Sequence, residues 1–227
     1  MNRIRIPRVD RFETSVLELE QQPVEPEKIV FYGDSGFTRW SEKYGIRPLE
    51  KEILGKDGAR IIINHGLGGS TTDDLLYYYP RMVKAWKPKV LVFMTYENDY
   101  FHGYSPADTM ELQSRIFEYA RRDMPGISIY ACDKRPTIIG LGELVPWKAS
   151  LRRALEYNEL LTEYCARHDD VTLVRHISSP LFFENPGDAG DYEKVRRDIF
   201  IEDRVHFNQR GYDLYAEFFR GVLDEKR

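Results

Sequence analysis

Short apolar runs alternate along this chain with longer segments whose apolar residues recur at helical spacing, and this alternation constrains the fold most. The runs, rich in β-branched and aromatic residues, lie at 28–32, 60–64, 90–95, 127–132 and 171–174. The helical patterns cover 71–86, 106–122, 147–167 and 209–225. Because right-handed crossovers place a helix over the sheet after each strand, the pattern predicts an α/β fold with a mostly parallel sheet. We expect a three-layer α/β/α sandwich, flavodoxin-like, with about five central strands.

The first 27 residues differ from the rest in composition. They end in a polar stretch with two prolines at 20–27, which should be extended and lie outside the main core. The chain of 227 residues is 42% apolar, enough for one sizeable core. We therefore expect an N-terminal arm at 1–27 and a single domain at 28–227. The arm could contact a second copy of the chain, so a homo-oligomer stays open.

Charge and cysteine content exclude several classes of partner. Lys and Arg number 33 against 37 Asp and Glu, a net charge of -4, so there is no basic excess to bind nucleic acid or an anionic membrane. Cys132 and Cys165 lie in a predicted strand and a predicted helix, which is typical of buried small hydrophobes rather than a disulfide framework. No apolar run resembles a secretory signal or reaches membrane-spanning length. We expect a cytoplasmic protein that acts on a small molecule.

The loops after the first three predicted strands carry polar residues and glycines. They are Gly-Asp-Ser-Gly at 33–36, His-Gly-Leu-Gly-Gly-Ser-Thr at 65–71 and Tyr-Glu-Asn-Asp at 96–99. Ligands of open parallel sheets bind beyond the carboxyl ends of the strands, so these loops should converge on one binding edge. The glycines of the second loop do not complete a dinucleotide fingerprint, because its third glycine is missing.

A carboxylate and an imidazole three residues apart, Asp203 and His206, precede the last predicted helix. A serine hydroxyl is a poor nucleophile at neutral pH unless an imidazole takes its proton and an acid orients that imidazole. Residues three apart on a tight turn can face the same side. Both side chains could therefore face the loops above the sheet.

The sequence resembles the SGNH, or GDSL, hydrolase family in four blocks that occur in the family's order over roughly 28–222. The blocks are Gly-Asp-Ser at 33–35, Gly-Gly-Ser-Thr-Thr at 68–72, Glu-Asn-Asp at 97–99 and Asp-Arg-Val-His at 203–206. The resemblance implies that Ser35 is the nucleophile, His206 the general base and Asp203 its orienting partner. It also implies an oxyanion hole formed by the backbone N–H groups of Ser35 and Gly69 and the side-chain amide of Asn98.

Two positions depart from the family's pattern. Gly36 replaces a leucine of the first block, which affects the pocket more than the chemistry. Tyr96 replaces a glycine two residues before Asn98, and tyrosine cannot adopt every backbone conformation open to glycine. This replacement bears on the shape of the acyl pocket and on the placement of Asn98.

Four side chains near these loops are candidates for contact with substrate: Asp34, Tyr96, Tyr100 and Lys134. For Asp34 we prefer a structural role, in which its carboxylate satisfies loop N–H groups. Tyr100 would lie beside the third block, and Lys134 with Arg135 follows the fourth strand. Aromatic side chains there would suit a short acyl chain or a sugar ring, and simple loop packing is an equal alternative.

These features favour a serine esterase or acylhydrolase that cleaves a small or carbohydrate-linked acyl ester through an acyl-enzyme intermediate. No spacing of histidines and carboxylates resembles a metal site, and we expect no cofactor. The alternative is a catalytically weak or inactive ligand-binding protein of the same fold. A general α/β-hydrolase is disfavoured, because the first block is not Gly-x-Ser-x-Gly. Since the base must be neutral, activity should rise through about pH 6 to 7.

Overall fold

The computed structural model describes residues 8, 10–138 and 147–227, so part of the expected arm, 1–7 and 9, lies outside the described residues. The strands of the described part are β1 (Ile29–Gly33), β2 (Ile62–Gly66), β3 (Val90–Met94), β4 (Ser128–Cys132) and β5 (Val171–Val174). They form one parallel sheet in the order β2-β1-β3-β4-β5. Each strand overlaps a predicted run, although β2 begins and ends two residues later than predicted, and the three-layer α/β/α fold is confirmed.

The register of β1 with its two neighbours brings the loops of interest together. Gly33, at the end of β1, pairs with Gly66 of β2 and with Met94 of β3. A Cβ on Gly33 would lie 2.3 Å from Met94 O, and one on Gly66 would lie 2.2 Å from Thr38 N. Glycine alone fits so close an approach, so the first two sequence blocks are held side by side at the carboxyl edge.

Helices cover both faces of the sheet. On one face the core includes residues from α2 (Ser35–Thr38), α3 (Leu49–Glu52) and α8 (Gln209–Val222). On the other face it includes residues from α1 (Glu13–Glu20), α4 (Thr72–Met82), α6 (Pro106–Asp123) and α7 (Trp147–Ala166). The short α5 (Glu97–Phe101) follows β3 directly, at the carboxyl edge. Strand residues alternate between the two cores, as buried parallel strands must.

Capping residues determine where two helices at the carboxyl edge of the sheet begin. Thr71 and Asp74 form a capping box at α4, in which Thr71 N donates to Asp74 Oδ2 at 2.9 Å. Asn208 caps α8, because its Oδ1 accepts from Gly211 N at 3.0 Å. The helix predicted at 71–86 ends earlier, at Met82, and is followed by a 3-10 turn. Both caps adjoin sequence blocks, so helix starts help to fix the loops of the binding edge.

The N-terminal segment contains a helix, α1, that precedes the polar stretch at 20–27. Helix α1 packs on α4, with Val16 fully buried. Arg81 of α4 forms ion pairs with Glu13 and Glu20 at the two ends of α1. Helix α1 therefore contributes Val16 and the partly buried Leu19 to the core, a contact that the sequence did not predict. The division of the chain at residue 27 stays a prediction.

The two cysteines do not pair with each other. Cys132 is buried at the end of β4, and Cys165 is half-buried in α7. Burial raises the pKa of both thiols, that of Cys165 to about 11, so neither is a reactive thiolate at neutral pH. Within the part of the chain that the structure describes, no helix has both the length and the apolar character needed to cross a bilayer.

Candidate active site

Ser35 is the first residue of α2, just beyond the carboxyl end of β1. The preceding Asp34 caps this helix, because its Oδ1 accepts from Gly36 N at 2.9 Å. Asp34 is buried, and this burial raises its pKa to about 6 although the Gly36 N–H opposes the effect. The carboxylate thus serves the turn, the role preferred from sequence, and its position does not support substrate contact.

A tight turn places Asp203 and His206 on the same side of the chain. Asp203 Oδ1 accepts from the backbone nitrogens of Val205 and His206, both at 2.9 Å. Arg204 has a φ of 58°, in the left-handed region, which lets the chain reverse between them. The second carboxylate oxygen, Oδ2, lies 2.7 Å from His206 Nδ1. The turn therefore fixes one oxygen and presents the other to the imidazole.

The hydroxyl and the imidazole meet although they are 171 residues apart in the chain: Ser35 Oγ lies 2.9 Å from His206 Nε2. Since an ionised carboxylate can only accept, Nδ1 carries the proton toward Asp203 and Nε2 accepts from the serine hydroxyl. The His206 side chain is 13% exposed and that of Asp203 37%, so the group lies at the surface of the carboxyl edge. We call Ser35, His206 and Asp203 the edge group.

The surroundings of His206 lower its pKa below the ordinary value of 6.5. Burial contributes most, the positive charges of Arg135 and Arg39 add to it, and together they outweigh Asp203. Burial works to raise the pKa of Asp203, but hydrogen bonds from the backbone and imidazole of His206 outweigh it, so that pKa is lowered. At neutral pH the imidazole is therefore neutral and the carboxylate charged, as a general base and its partner require.

The second and third blocks are tied to each other and to β1. Leu67 N donates to Gly33 O at 2.7 Å and Ser70 N donates to Leu67 O at 3.0 Å. Gly69, inside this turn, has a φ of 84°, a conformation that favours glycine. Asn98 Nδ2 donates to Ser70 O at 2.9 Å. Because an amide nitrogen carries two hydrogens, this bond leaves one for a ligand.

Arg11, just before α1, contacts the same loop from outside. Its Nη2 donates to Gly69 O at 2.9 Å. Its guanidinium also forms an ion pair with the buried carboxylate of Asp74 in α4. The N-terminal segment therefore helps to hold the turn that carries Gly69, a contact across 58 residues that no local pattern indicates.

Tyr96 has a positive φ, a backbone conformation that favours glycine. Its φ is 131°, which a tyrosine rarely adopts and which stores strain. The ring is 3% exposed and stacks on Tyr157, with centroids 4.6 Å apart and an interplanar angle of 24°. Among the described residues its hydroxyl has no hydrogen-bond partner. The expected contact of Tyr96 with substrate is therefore corrected: the side chain points into the core.

Lys134 requires the same correction. Its side chain is 1% exposed, and its ammonium is 2.5 Å from Glu97 Oε1 and 2.7 Å from Thr137 Oγ1. Because these partners bind the ammonium group inside the protein, the ammonium group does not face a ligand. Tyr100 is half-buried, with the Arg153 guanidinium 4.9 Å from its ring centroid, and its contact with substrate stays a prediction.

A polar groove of about 390 Å³ runs along the edge of the sheet, between α1 and residues 41–50. Thr38 and Gly68 line it, which places it next to the helix of Ser35 and the turn of Gly69. Tyr44, 41% exposed, adds an aromatic surface. Most other lining residues can donate or accept hydrogen bonds; they include Ser15, Glu18, Gln22, Ser41, Lys43 and Asn64.

A parallel α/β sheet with a hydroxyl, imidazole and carboxylate in line at its carboxyl edge is typical of serine hydrolases. Residues 31–214 match the model of the GDSL-like Lipase/Acylhydrolase family, and the chain belongs to that family. It is a hydrolase that acts on ester bonds. The resemblance inferred from the four blocks is thereby confirmed. No curated protein is similar enough in sequence to count as a match.

Solved structures share the fold at low sequence identity. A GDSL-like lipase from Bacteroides thetaiotaomicron is 16% identical, with 97% of this chain and 100% of that chain covered and a TM-score of 0.74. An acetyl xylan esterase is 19% identical, with 86% and 99% covered and a TM-score of 0.65. A mutant of an acetyl-xylooligosaccharide esterase from a Geobacillus species is 16% identical, with 88% and 95% covered and a TM-score of 0.63.

Proposed function

We propose that this chain is a serine esterase that cleaves a small or carbohydrate-linked acyl ester through an acyl-enzyme intermediate. One observation carries the proposal: Ser35 Oγ is 2.9 Å from His206 Nε2, and Asp203 lies behind the imidazole. A hydroxyl at hydrogen-bond distance from a neutral imidazole is the pair of nucleophile and base that acyl transfer needs.

In the first half-reaction Ser35 Oγ attacks the carbonyl carbon of the ester while His206 Nε2 takes its proton. The carbonyl oxygen gains negative charge, which the N–H groups of Ser35 and Gly69 and the amide of Asn98 stabilise. The imidazolium then gives its proton to the leaving alcohol as the ester bond breaks. Asp203 stabilises the imidazolium while it exists.

In the second half-reaction water replaces the serine hydroxyl as nucleophile. His206 takes a proton from the water, whose oxygen attacks the acyl carbon on Ser35. The tetrahedral intermediate then collapses, the bond to Oγ breaks, and the imidazolium returns a proton to Oγ. The products are a carboxylic acid, an alcohol and the unchanged enzyme.

The groove beside α1 supports a carbohydrate-linked substrate. Hydroxyl, amide and carboxylate groups line it beside the ring of Tyr44, a combination that suits a polyhydroxylated ring better than a lipid tail. Two solved structures of this fold are named as an acetyl xylan esterase and an acetyl-xylooligosaccharide esterase. We therefore place the alcohol part of the substrate, a short acetylated sugar chain, in this groove.

Labelling tests the nucleophile. We expect a fluorophosphonate to form a covalent adduct on Ser35 and purified protein to hydrolyse p-nitrophenyl acetate. Ser35→Ala should abolish both, whereas Ser114→Ala, at a serine of α6 whose hydroxyl donates to Glu111 O, should leave both intact. Equal turnover in Ser35→Ala and wild type would contradict the proposal. An unreactive Ser35 in a protein that still binds acetylated sugars would favour the alternative, a ligand-binding protein without turnover.

A substrate comparison tests the groove. We expect Tyr44→Ala to lower kcat/KM for acetylated xylooligosaccharides by about 10-fold, the loss of one aromatic contact, and to leave p-nitrophenyl acetate hydrolysis unchanged. Tyr119→Ala, at a ring exposed to a similar degree on α6, is the matched control. If Tyr44→Ala affected neither substrate while wild type cleaved both, the groove would not bind the alcohol part.

A further inference from the structure

Two adjacent cations, Lys134 and Arg135, follow β4 at the carboxyl edge and are both buried, at 2% and 5% exposure. Taking charges out of water is costly unless partners replace the lost hydration. The partners that they use belong to the two loops on which the proposed chemistry depends.

Lys134 holds the start of α5. Its ammonium donates to Glu97 Oε1 at 2.5 Å, and its backbone is fixed by Asn158 Oδ1, which accepts from Lys134 N at 3.0 Å. Tyr192 OH donates to Lys134 O at 2.9 Å. Glu97 immediately precedes Asn98, so this ion pair fixes the residue next to the amide donor.

The Lys134–Glu97 pair also sits next to the strained residue. Tyr96 adopts a φ of 131° where tyrosine is disfavoured, and such strain persists only where the surroundings impose it. The ring is fixed by Tyr157 on one side of the peptide, and Glu97 is fixed by Lys134 on the other. These two anchors hold the backbone in the form that glycine adopts without strain.

Arg135 contacts both neighbours of His206. Its Nη2 donates to Val205 O at 2.9 Å, and its guanidinium carbon lies 4.8 Å from the ring centroid of Phe207. Arg135 Nε would be 3.4 Å from a Cβ on Gly36, so the same group lies behind the turn of the nucleophile. One side chain therefore contacts the loops of both the hydroxyl and the imidazole.

A stability role alone does not account for Arg135. Among the described residues its buried Nη1 has no hydrogen-bond partner, and an unpaired buried donor lowers stability. The charge does act on the imidazole: His206 is surrounded by Arg135 after β4, Arg39 after α2, Glu97 at the start of α5 and Asp203 on its own turn. Arg135 and Arg39 oppose protonation of His206, while Asp203 favours it.

We propose that Lys134 and Arg135 are positioning residues for ester hydrolysis: Lys134 places Asn98 through Glu97, and Arg135 places His206 through Val205 and Phe207. The proposal rests on the proposed function. It gives one dipeptide control of both the oxyanion donor and the general base.

The test measures kcat, KM and the pH profile of p-nitrophenyl acetate hydrolysis. We expect Arg135→Met to lower kcat about 100-fold, the cost of a misplaced base, with KM within about 3-fold. Its loss of charge should also move the acid limb of kcat/KM to higher pH. Arg135→Lys keeps the charge, so it should keep the wild-type limb and recover part of kcat.

Lys134→Met should lower kcat at least 10-fold, because it acts through Asn98. In a double-mutant cycle, Asn98→Ala combined with Lys134→Met should lower kcat no further than Asn98→Ala alone. Arg121→Met is the control, since it breaks an ion pair with Asp170 that lies away from the edge group and should leave kcat unchanged.

Wild-type kcat in folded Lys134→Met, or wild-type kcat with an unmoved acid limb in folded Arg135→Met, would overturn the proposal. Melting temperatures that fall with no change in kcat would overturn it as well. If the Met variants fail to fold, Arg135→Lys decides: a folded protein with lowered kcat supports the proposal, and wild-type kcat overturns it. Absence of turnover in wild type is a separate result, which refutes the proposed function instead.

Discussion

Two regions of the molecule align a hydroxyl, an imidazole and a carboxylate in nearly the same way. The edge group has its imidazole 2.9 Å from the hydroxyl and 2.7 Å from the carboxylate. In the core, His176 Nε2 is 2.9 Å from Tyr215 OH, and His176 Nδ1 is 3.0 Å from Asp133 Oδ1. We call these three residues the core group. By hydrogen bonds alone, the two groups are hard to tell apart.

Exposure and location separate them. The side chains of His176 and Asp133 are 0% and 2% exposed, against 13% and 37% for His206 and Asp203. Burial raises the pKa of Tyr215 far above its ordinary value, so its phenol stays protonated. The core group joins the ends of β4 and β5 to α8 and cannot reach a ligand. The proposed chemistry therefore belongs to the edge group, which is the one of the two groups that meets solvent.

The largest expected effect compares the two imidazoles. His206→Ala should lower kcat/KM about 10⁴-fold or more, because the base is lost, with little change in the free energy of unfolding. His176→Ala should instead lower that free energy by about 3 kcal/mol, because it leaves buried polar partners unpaired. Its folded fraction should keep most of the wild-type kcat. Urea unfolding measures the free energy of unfolding of each variant, and p-nitrophenyl acetate kinetics measure its kcat/KM. A folded His176→Ala protein as inactive as His206→Ala would contradict the different roles assigned to the two groups.

The second effect concerns the oxyanion donors, which the core group lacks in our assignment. Asn98→Ala should lower kcat about 10²- to 10³-fold, the usual loss for one donor, and change KM little. Steady-state kinetics with p-nitrophenyl acetate measure kcat and KM separately. Asn98→Asp, similar in shape but unable to donate, should lose at least as much. Unchanged kcat in folded Asn98→Ala would remove Asn98 from the site.

The third effect tests whether the turn that carries Gly69 depends on the N-terminal segment. Arg11→Met removes the hydrogen bond to Gly69 O and should lower kcat up to about 10-fold, the worth of one hydrogen bond. Arg8→Met is the control, because Arg8 is exposed and pairs with Asp10. We would abandon a role for Arg11 if both variants had wild-type kcat.

The smallest effect is a shift in pH dependence. His206 has a pKa below 6.5 in the folded protein, so the neutral base forms at lower pH than in a free imidazole. The acid limb of kcat/KM should therefore lie below pH 6.5, lower than the sequence alone indicates. Arg39→Gln removes one positive charge that opposes protonation of His206. It should therefore move the acid limb to higher pH by less than about one pH unit. Arg47→Gln, whose partners are Glu52 and Asp213, should not move it, and a wild-type limb above 6.5 would contradict the explanation.

Sequence reasoning predicted the strands and predicted that Ser35, Asp203 and His206 lie at one edge of the sheet, because the alternation of strands and helices and the order of the blocks can both be read along the chain. The sequence-based predictions were wrong where they depended on the direction in which a side chain points. Tyr96 and Lys134 lie in the expected loops, yet both turn inward, toward Tyr157 and Glu97. The position of a loop predicts which residues lie near each other, whereas the direction of a side chain depends on partners that are distant in the sequence. The contact of Arg11 with Gly69 likewise joins residues that are distant in the sequence.

The distance along the chain between Ser35 and His206 has a consequence for synthesis. A nascent polypeptide that has emerged through β5 carries the hydroxyl but lacks the imidazole and the carboxylate. Tyr212 of α8 completes the assembly by donating to Gly36 O at 3.1 Å, so the last helix docks against the turn of the nucleophile. The edge group can therefore form only after α8 has been synthesised, and we expect proteolytic removal of residues 203–222 to abolish ester hydrolysis.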